Sequence, residues 1–291
     1  MAQPIELAVV GGSGFYEMPG LSAIEEIDVT TPFGAPSDAI RVGTVEGVRV
    51  AFLARHGRHH TLLPSELPQR ANFWALKSLG VSRVLAISAV GSLRDDYRPG
   101  DMVIPNQTID RTRGDRPETF FGNGVVAHVA FAEPFCRRMR EAVGYAAGTA
   151  GTVRNGGSYV VIEGPAFGTR AESELYRSWG ASIVGMTALP EAKLAREAEL
   201  CYAVLAAVTD YDAWHDEHEA VDARNVFAVL QQNVTVSREA VRKLVGSLPR
   251  GGCSCGTSLD AGLVTAPKAI SADARKRLAP ILERRLGVIH A

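Results

Sequence analysis

Short apolar runs at residues 5–10, 48–54, 84–89, 182–186 and 201–208 are brief enough for strands, and segments with helical periodicity lie between them. That alternation restricts the chain to an α/β fold, because helices joining successive strands must cover the faces of a sheet. Residues 69–79 and 190–199 read as helices, the second with Pro190 near its start and Glu191 in its first turn. Residues 225–245 place Val226, Val229, Leu230, Val234, Val241 and Val245 mostly at helical spacing, which predicts one long amphipathic helix. With 291 residues, 46% of them hydrophobic, the chain can bury a large core, and no shift in composition marks a linker. Residues 249–265, rich in Gly and Ser, read as a flexible loop. Residues 266–291 read as a C-terminal helical segment whose basic run near 275–285 forms a solvated face.

A formal charge of -1 offers no global field for nucleic acid or an anionic membrane, so any anion must be bound by local groups. Met1-Ala2-Gln3-Pro4 lacks a basic segment, and the apolar run after it is too short for a signal or a span. A cytoplasmic protein is expected. The four cysteines are too few for a disulfide framework. Cys136 and Cys201, in apolar contexts, read as buried free thiols, whereas Cys253-Ser254-Cys255 lies among glycines and reads as a small strained ring or as two exposed thiols, with no catalytic role.

Chemistry-bearing residues gather where the apolar runs end. Asp210 and Asp212 follow the run at 201–208; if the extended backbone continues, their i, i+2 spacing turns both carboxylates to one side. Such a pair suits an aminopurine edge, one carboxylate accepting from the exocyclic amine and a protonated one donating to N7. Taken alone, Asp-x-Asp is also what a solvated turn looks like. Gly11-Gly12-Ser13-Gly14 offers open amides and a hydroxyl to an oxyanion, but Glu17 stands where a dinucleotide-binding G-x-G-x-x-G needs its last glycine, which counts against a nicotinamide enzyme. Arg55 and His56 open a dense basic loop through His60; its histidines lack the acid or cysteine set of a metal site. Ser88, Ala89 and Gly91 close a further strand, outside the G-x-S-x-G pattern of a nucleophilic serine, and Met186-Thr187 close another. Ligands of α/β folds collect beyond the carboxyl ends of strands, so these pieces predict one anion site.

The motifs VVGGSGF, TPFGAPSD, ARHGRHHT, ISAVGSLR, PGDMVIP, IDRT, AEPFC, IEGPAFGTRAE, IVGMTALPEA and VTDYDAW resemble those of the trimeric purine nucleoside phosphorylase family, most closely its 5'-methylthioadenosine phosphorylase branch. The resemblance spans residues 5–245 and implies a single domain with a mixed central β-sheet flanked by helices. It also implies phosphorolysis with inorganic phosphate as co-substrate, no metal or other cofactor, and a homotrimer. By motif, Ser13, Arg55, His56, Ser88, Ala89 and Thr187 resemble the phosphate contacts, and Met186 the residue on the ribose. Phe167 resembles the ring on the purine, and Asp210 and Asp212 the acids that read the base. His128 resembles a residue reaching the 5' end of substrate in a neighbouring subunit.

Within that family, 6-oxopurine enzymes usually carry Asn and Glu at the positions of Asp210 and Gly168, so this chain favours a 6-amino base. A buried site built for one hydrogen-bond pattern strongly rejects its opposite. Gly168 and Ala223 fall at positions tied to specificity, and Ala166 replaces a frequent Arg. Val221, Val226 and Phe227 suit a methylthio group or ordinary helix packing. Asp210 is the expected proton donor to the leaving base, its pKa lifted by burial and by the charge of Asp212. Three rivals remain at this stage: a 6-oxopurine or adenosine phosphorylase, a binding module for adenine nucleosides, and an oxidoreductase.

Overall fold

The computed structural model describes residues 4–12, 14, 18–114, 116–215 and 223–287. Eleven strands form one mixed sheet: β1 (Leu7–Gly11), β2 (Ser22–Ile27), β3 (Ile40–Val45), β4 (Val48–Ala54), β5 (Arg83–Ser92), β6 (Met102–Ile104), β7 (Gln107–Arg111), β8 (Val153–Asn155), β9 (Ser158–Ile162), β10 (Ile183–Gly185) and β11 (Cys201–Asp210). The helices are α1 (Gln69–Ser78), α2 (Arg137–Gly148), α3 (Arg170–Ser178), α4 (Ala188–Glu197), α5 (Ala223–Gly246), α6 (Leu259–Gly262), α7 (Ala272–Arg277) and α8 (Ala279–Leu286). The expected α/β class, the five predicted strands and the three predicted helices are all present, with ends shifted by a few residues. No helix among the described residues is long and apolar enough to cross a membrane.

The sheet branches at β5, and the branch makes the site. One edge of β5 runs parallel to β11 from Arg83 to Gly91. The other edge pairs with β1 only from Arg83 to Ala86, then with β10, antiparallel, at Gly91 and Ser92. Between those two ladders the edge at residues 87–90 has no neighbouring strand among the described residues. β1, β4 and β10 all end around this gap, so the side chains that follow them converge on it. Both faces are covered by apolar layers, which include Phe73, Leu76, Leu194 and Tyr202 on one side and Phe52, Leu85, Met139 and Leu244 on the other.

The C-terminal region differs from its sequence reading. Residues 249–265 carry a helical turn at Ser254–Thr257 and helix α6, with Cys255 and Leu259 buried, because their apolar side chains find the core that glycine-rich composition obscured. The basic run at 275–285 is not wholly a solvated face either. Arg284 reaches the buried carboxylate of Glu199, with both bonds at 2.6 Å. Cys253 and Cys255 are neither ring-closed nor both exposed: both are free thiols, and they lie against Cys136 and Cys201.

Candidate active site

Arg55 continues from β4 into the gap. Its amide donates to the Gly11 carbonyl at 2.8 Å, tying the β4 end to the β1 end. The buried guanidinium donates through Nη1 to the unpaired Ile87 carbonyl at 2.8 Å and through Nη2 to Val10 at 3.3 Å. Nε and Nη2 grip the two oxygens of Glu191, a buried residue on α4. Glu191 in turn accepts from the Tyr202 hydroxyl at 2.8 Å. Burial works against the Arg55 charge, but the Glu191 carboxylate outweighs it and holds the guanidinium pKa above its ordinary value. Most of the five donors of Arg55 are therefore spent inside the protein. Glu191 neutralises it, so the site is less cationic than its basic loop suggests, and an oxyanion there must be met chiefly by neutral N–H and O–H donors.

Those donors are in place. Strand alternation turns the backbone of Ala89 to the same open edge as Ile87. Ser88, nearly buried, and Thr187, which follows β10, present their hydroxyls beside that of the buried Tyr159. Thr187 Oγ1 is buried and has no hydrogen-bond partner among the described residues. An orphaned buried hydroxyl is costly unless something completes it. His56 Nδ1 donates to the Leu62 carbonyl at 2.8 Å, and since that oxygen can only accept, Nδ1 is the protonated nitrogen. Burial first, then the charges of Arg55 and His60, lower the pKa of His56 to about 4, so the ring is neutral near pH 7. The basic loop divides here: Arg58, beyond the site, is exposed and pairs with Glu26 and Asp38.

The acids stand at the far end of the gap, in a geometry that corrects the extended reading. The strand stops at Asp210, Tyr211 turns (φ -94, ψ 18) and Asp212 takes a left-handed φ of 54. Asp212 donates its amide to Asp210 Oδ1 at 2.8 Å, and Thr209 Oγ1 lies 2.8 Å from Asp210 Oδ2. Burial raises the pKa of Asp210 above the usual carboxylate range, while these two donors oppose it. Asp212 thus acts on Asp210 as an amide donor, and the like-charge effect falls on Asp212, whose pKa is raised first by burial. Asp212 Oδ2 is buried without a hydrogen-bond partner among the described residues, with the Ser173 hydroxyl nearby but poorly placed. Trp214 pins the turn by donating Nε1 to the Ser92 carbonyl at 2.7 Å.

Gly91 makes the approach possible. A Cβ there would stand 3.0 Å from Asp210 Oδ1 and from Asp212 Cβ, and 3.3 Å from Val184 Cγ1. Gly91→Ala is expected to displace the carboxylates and lower kcat/KM by about 10²-fold, since misplacements of an ångström can cost that much. Steady-state kinetics beside urea unfolding would check it; overpacking of this kind costs about 1–3 kcal/mol. Ala89 lies two residues earlier, about 7 Å along the strand, so the donor-lined gap and the acids are separated by roughly the span of a sugar.

A third wall comes from the turn after β9. Gly164 has φ 71, and a Cβ there would meet Met186 Sδ at 2.5 Å, so Met186 packs directly on the turn that carries Phe167. Phe167 is exposed, and Gly168 meets only the Glu172 side chain. Arg116 joins the pieces: it donates to Glu163 Oε1 at 2.8 Å, to the Met186 carbonyl at 2.7 Å and to the Leu189 carbonyl at 3.1 Å. His128 lies elsewhere, exposed, its amide on the Gly262 carbonyl at 2.8 Å. Ser13, Glu17 and Val221 lie outside the described residues, as do the side chains of Ala223, Val226 and Phe227.

Sequence reasoning missed Glu191, Tyr159, Arg116 and Glu163. Glu191 had a usable signal: an acid flanked by Ala188-Leu189-Pro190 and Ala192 in a segment that must pack on a sheet requires a buried partner. Arg116 had none, because its partners are mostly backbone carbonyls.

A gap at a strand edge lined by neutral donors, with a half-buried acid pair about a sugar's length away, is the arrangement of a nucleoside phosphorylase type of site. The chain belongs to the phosphorylase superfamily, whose family model matches residues 6–246. The S-methyl-5'-thioadenosine phosphorylase of Chloroflexus aurantiacus is 55% identical to it over 280 residues, covering 96% of this chain and 97% of that protein. That of Geobacter sulfurreducens is 51% identical over 274 residues, 94% of this chain and 96% of that one. Among solved structures, a methylthioadenosine phosphorylase from an antarctic soil metagenomic library superposes with a TM-score of 0.92 at 44% identity, covering 97% of this chain and all 100% of that one. A methylthioadenosine phosphorylase from Schistosoma mansoni in complex with adenine gives 0.82 at 37%, over 89% of this chain and 99% of that one.

Proposed function

We propose that the protein cleaves 5'-methylthioadenosine by phosphorolysis, giving adenine and 5-methylthioribose 1-phosphate. The observation that carries this reading is the half-buried pair Asp210 and Asp212, with Asp210 raised in pKa, beside a gap that contains the orphaned Thr187 hydroxyl. A phosphate oxygen bonds to C1' as the bond from C1' to N9 breaks. The electron pair of that bond enters the purine, and Asp210 gives its proton to N7 as the charge builds. Ser88, the Ala89 amide and Thr187 hold the phosphate, with Ser13, His56 and the last free N–H of Arg55 completing the shell. Because Glu191 already neutralises Arg55, the phosphate keeps more of its own charge to face the developing cation at C1'. Met186 packs on the ribose, Phe167 on the purine, and Asp212 accepts from the 6-amino group. Gly168 and Ala223 shape the specificity end.

His128, exposed and away from this cluster, fits a role in a neighbouring subunit's site, so the assembly we propose is a homotrimer. The chemistry requires phosphate as co-substrate and draws on no metal or other cofactor. The products suit salvage of purine and methionine, which we place in the cytoplasm. Chromatography of the base released from 5'-methylthioadenosine and from inosine, with and without phosphate, tests the reading. Adenine release that depends on phosphate, with inosine inert, is expected. Cleavage of inosine alone would replace the 6-amino reading with a 6-oxopurine one; binding of 5'-methylthioadenosine without cleavage would leave only an adenine nucleoside-binding module.

A further inference from the structure

The sulfurs of Cys136, Cys201, Cys253 and Cys255 all lie within 4.8 Å of one another. Their positions come from three separate elements. Cys136 caps the N-terminus of α2, Cys201 is the first residue of β11, and Cys253 and Cys255 bracket the start of the turn Ser254–Thr257. Cys136 and Cys255 are buried, Cys201 and Cys253 partly so, within one of the two main apolar clusters. From these we propose that the four thiolates hold a structural zinc ion at the edge of the sheet, independent of the phosphorolysis site.

The geometry suits a tetrahedral ion. Zinc–sulfur bonds of about 2.3 Å place the sulfurs of a tetrathiolate about 3.8 Å apart. Cys136 and Cys253 are 3.6 Å apart, and no pair needs to close by more than about 1 Å from the 4.8 Å limit. All-sulfur, four-coordinate sites take zinc or iron, and a purely structural site with no electron to carry favours zinc, whereas calcium and magnesium take oxygen. The surroundings offset the net negative charge of such a centre. Cys136 stands at the positive end of the α2 dipole. Arg83, directly across the ladder from Cys201, donates to the Pro249 carbonyl at 2.6 Å, and Arg138 holds the carbonyls of Arg250, Gly251 and Gly252. Two guanidinium groups thus fasten the loop that delivers Cys253.

On binding, four S–H bonds break, four zinc–sulfur bonds form and four protons leave to solvent; no electron moves. The ion would tie the C-terminal segment to α2 and β11. It cannot take part in catalysis, because Cys201 and Asp210 occupy opposite ends of a ten-residue strand, about 30 Å apart. The sequence offered the Cys253-x-Cys255 half of this site, but the other two ligands are separated from it and from each other by more than fifty residues.

Full-length protein purified under reducing conditions without chelator should contain about one zinc per chain by elemental analysis. Replacement by cobalt should give the intense visible bands of a tetrahedral tetrathiolate, and stripping the zinc should lower the Tm. The paired substitution Cys253→Ser with Cys255→Ser should abolish the metal and the cobalt spectrum; should that variant not fold, cobalt exchange into the unaltered chain still decides. Four titratable thiols with no zinc and no cobalt bands, two disulfides under reducing purification, or iron at the same stoichiometry would each overturn the assignment. None of these readouts depends on phosphorolysis.

Discussion

Substituting Asp210→Asn is expected to lower kcat on 5'-methylthioadenosine by about 10²- to 10⁴-fold, the usual worth of a positioned general acid. Binding of the nucleoside should suffer less, because the Asn carbonyl can still accept from the Asp212 amide that now bonds Oδ1, while its NH2 group can donate to the Thr209 hydroxyl oxygen that now faces Oδ2. Stability argues in the same direction. A carboxyl whose folded pKa lies above its unfolded one binds more protons when folded, so its contribution to stability falls as pH rises through that interval. Near neutral pH the folded chain carries this cost, and a neutral amide removes it. The Asn variant should therefore unfold at a Tm no lower than that of the unaltered chain. Stopped-time assays of adenine release, paired with thermal unfolding, separate the two effects. An unchanged turnover would remove Asp210 from the proton-transfer role and leave the purine to depart unaided.

The second large effect is expected at a residue that touches no substrate in this scheme. Glu191→Ala should destabilise the protein by about 3–5 kcal/mol, because it leaves the Arg55 guanidinium buried and uncompensated. It also strips the Tyr202 hydroxyl of its acceptor. Removing both charges with apolar residues of similar volume, Arg55→Met with Glu191→Leu, should cost much less, since replacement of a buried ion pair is often close to neutral. Urea unfolding of the single and paired variants measures the difference. The paired variant should nonetheless bind phosphate poorly, because the Arg55 guanidinium also donates to the Ile87 carbonyl on the open edge of β5 and to the Val10 carbonyl of β1. If the paired variant proved as unstable as Glu191→Ala, the loss would belong to packing and not to unpaired charge.

The strand ends were legible because α/β chains punctuate themselves. Apolar runs followed by Arg55, Thr187 and Asp210 mark where strands stop, and ligands collect where strands stop; Ser88, read as closing a strand, instead lies inside β5, which continues to Ser92. Helix α5 was legible from a single periodic face. The turn between Asp210 and Asp212 was not, because Asp-Tyr-Asp fits both an extended strand and a left-handed turn, and the choice depends on Trp214 anchoring to Ser92. The pairing of Arg55 with Glu191 was equally hidden: 136 residues separate them, and nothing local to either records the other.

By itself, then, the sequence marked β1, β4, β5, β10 and β11 and helices α1, α4 and α5 in their order, since these carry periodicity and turn chemistry within a few residues of each position, while the other strands left no such signal. Tertiary structure alone decided where β5 parts from β1 and joins β10, and hence where the edge of β5 is left open. It also decided that four cysteines scattered over the chain meet at one corner of the sheet. Both outcomes are contacts between distant segments, fixed by how whole layers pack, and no local interaction in the chain encodes them.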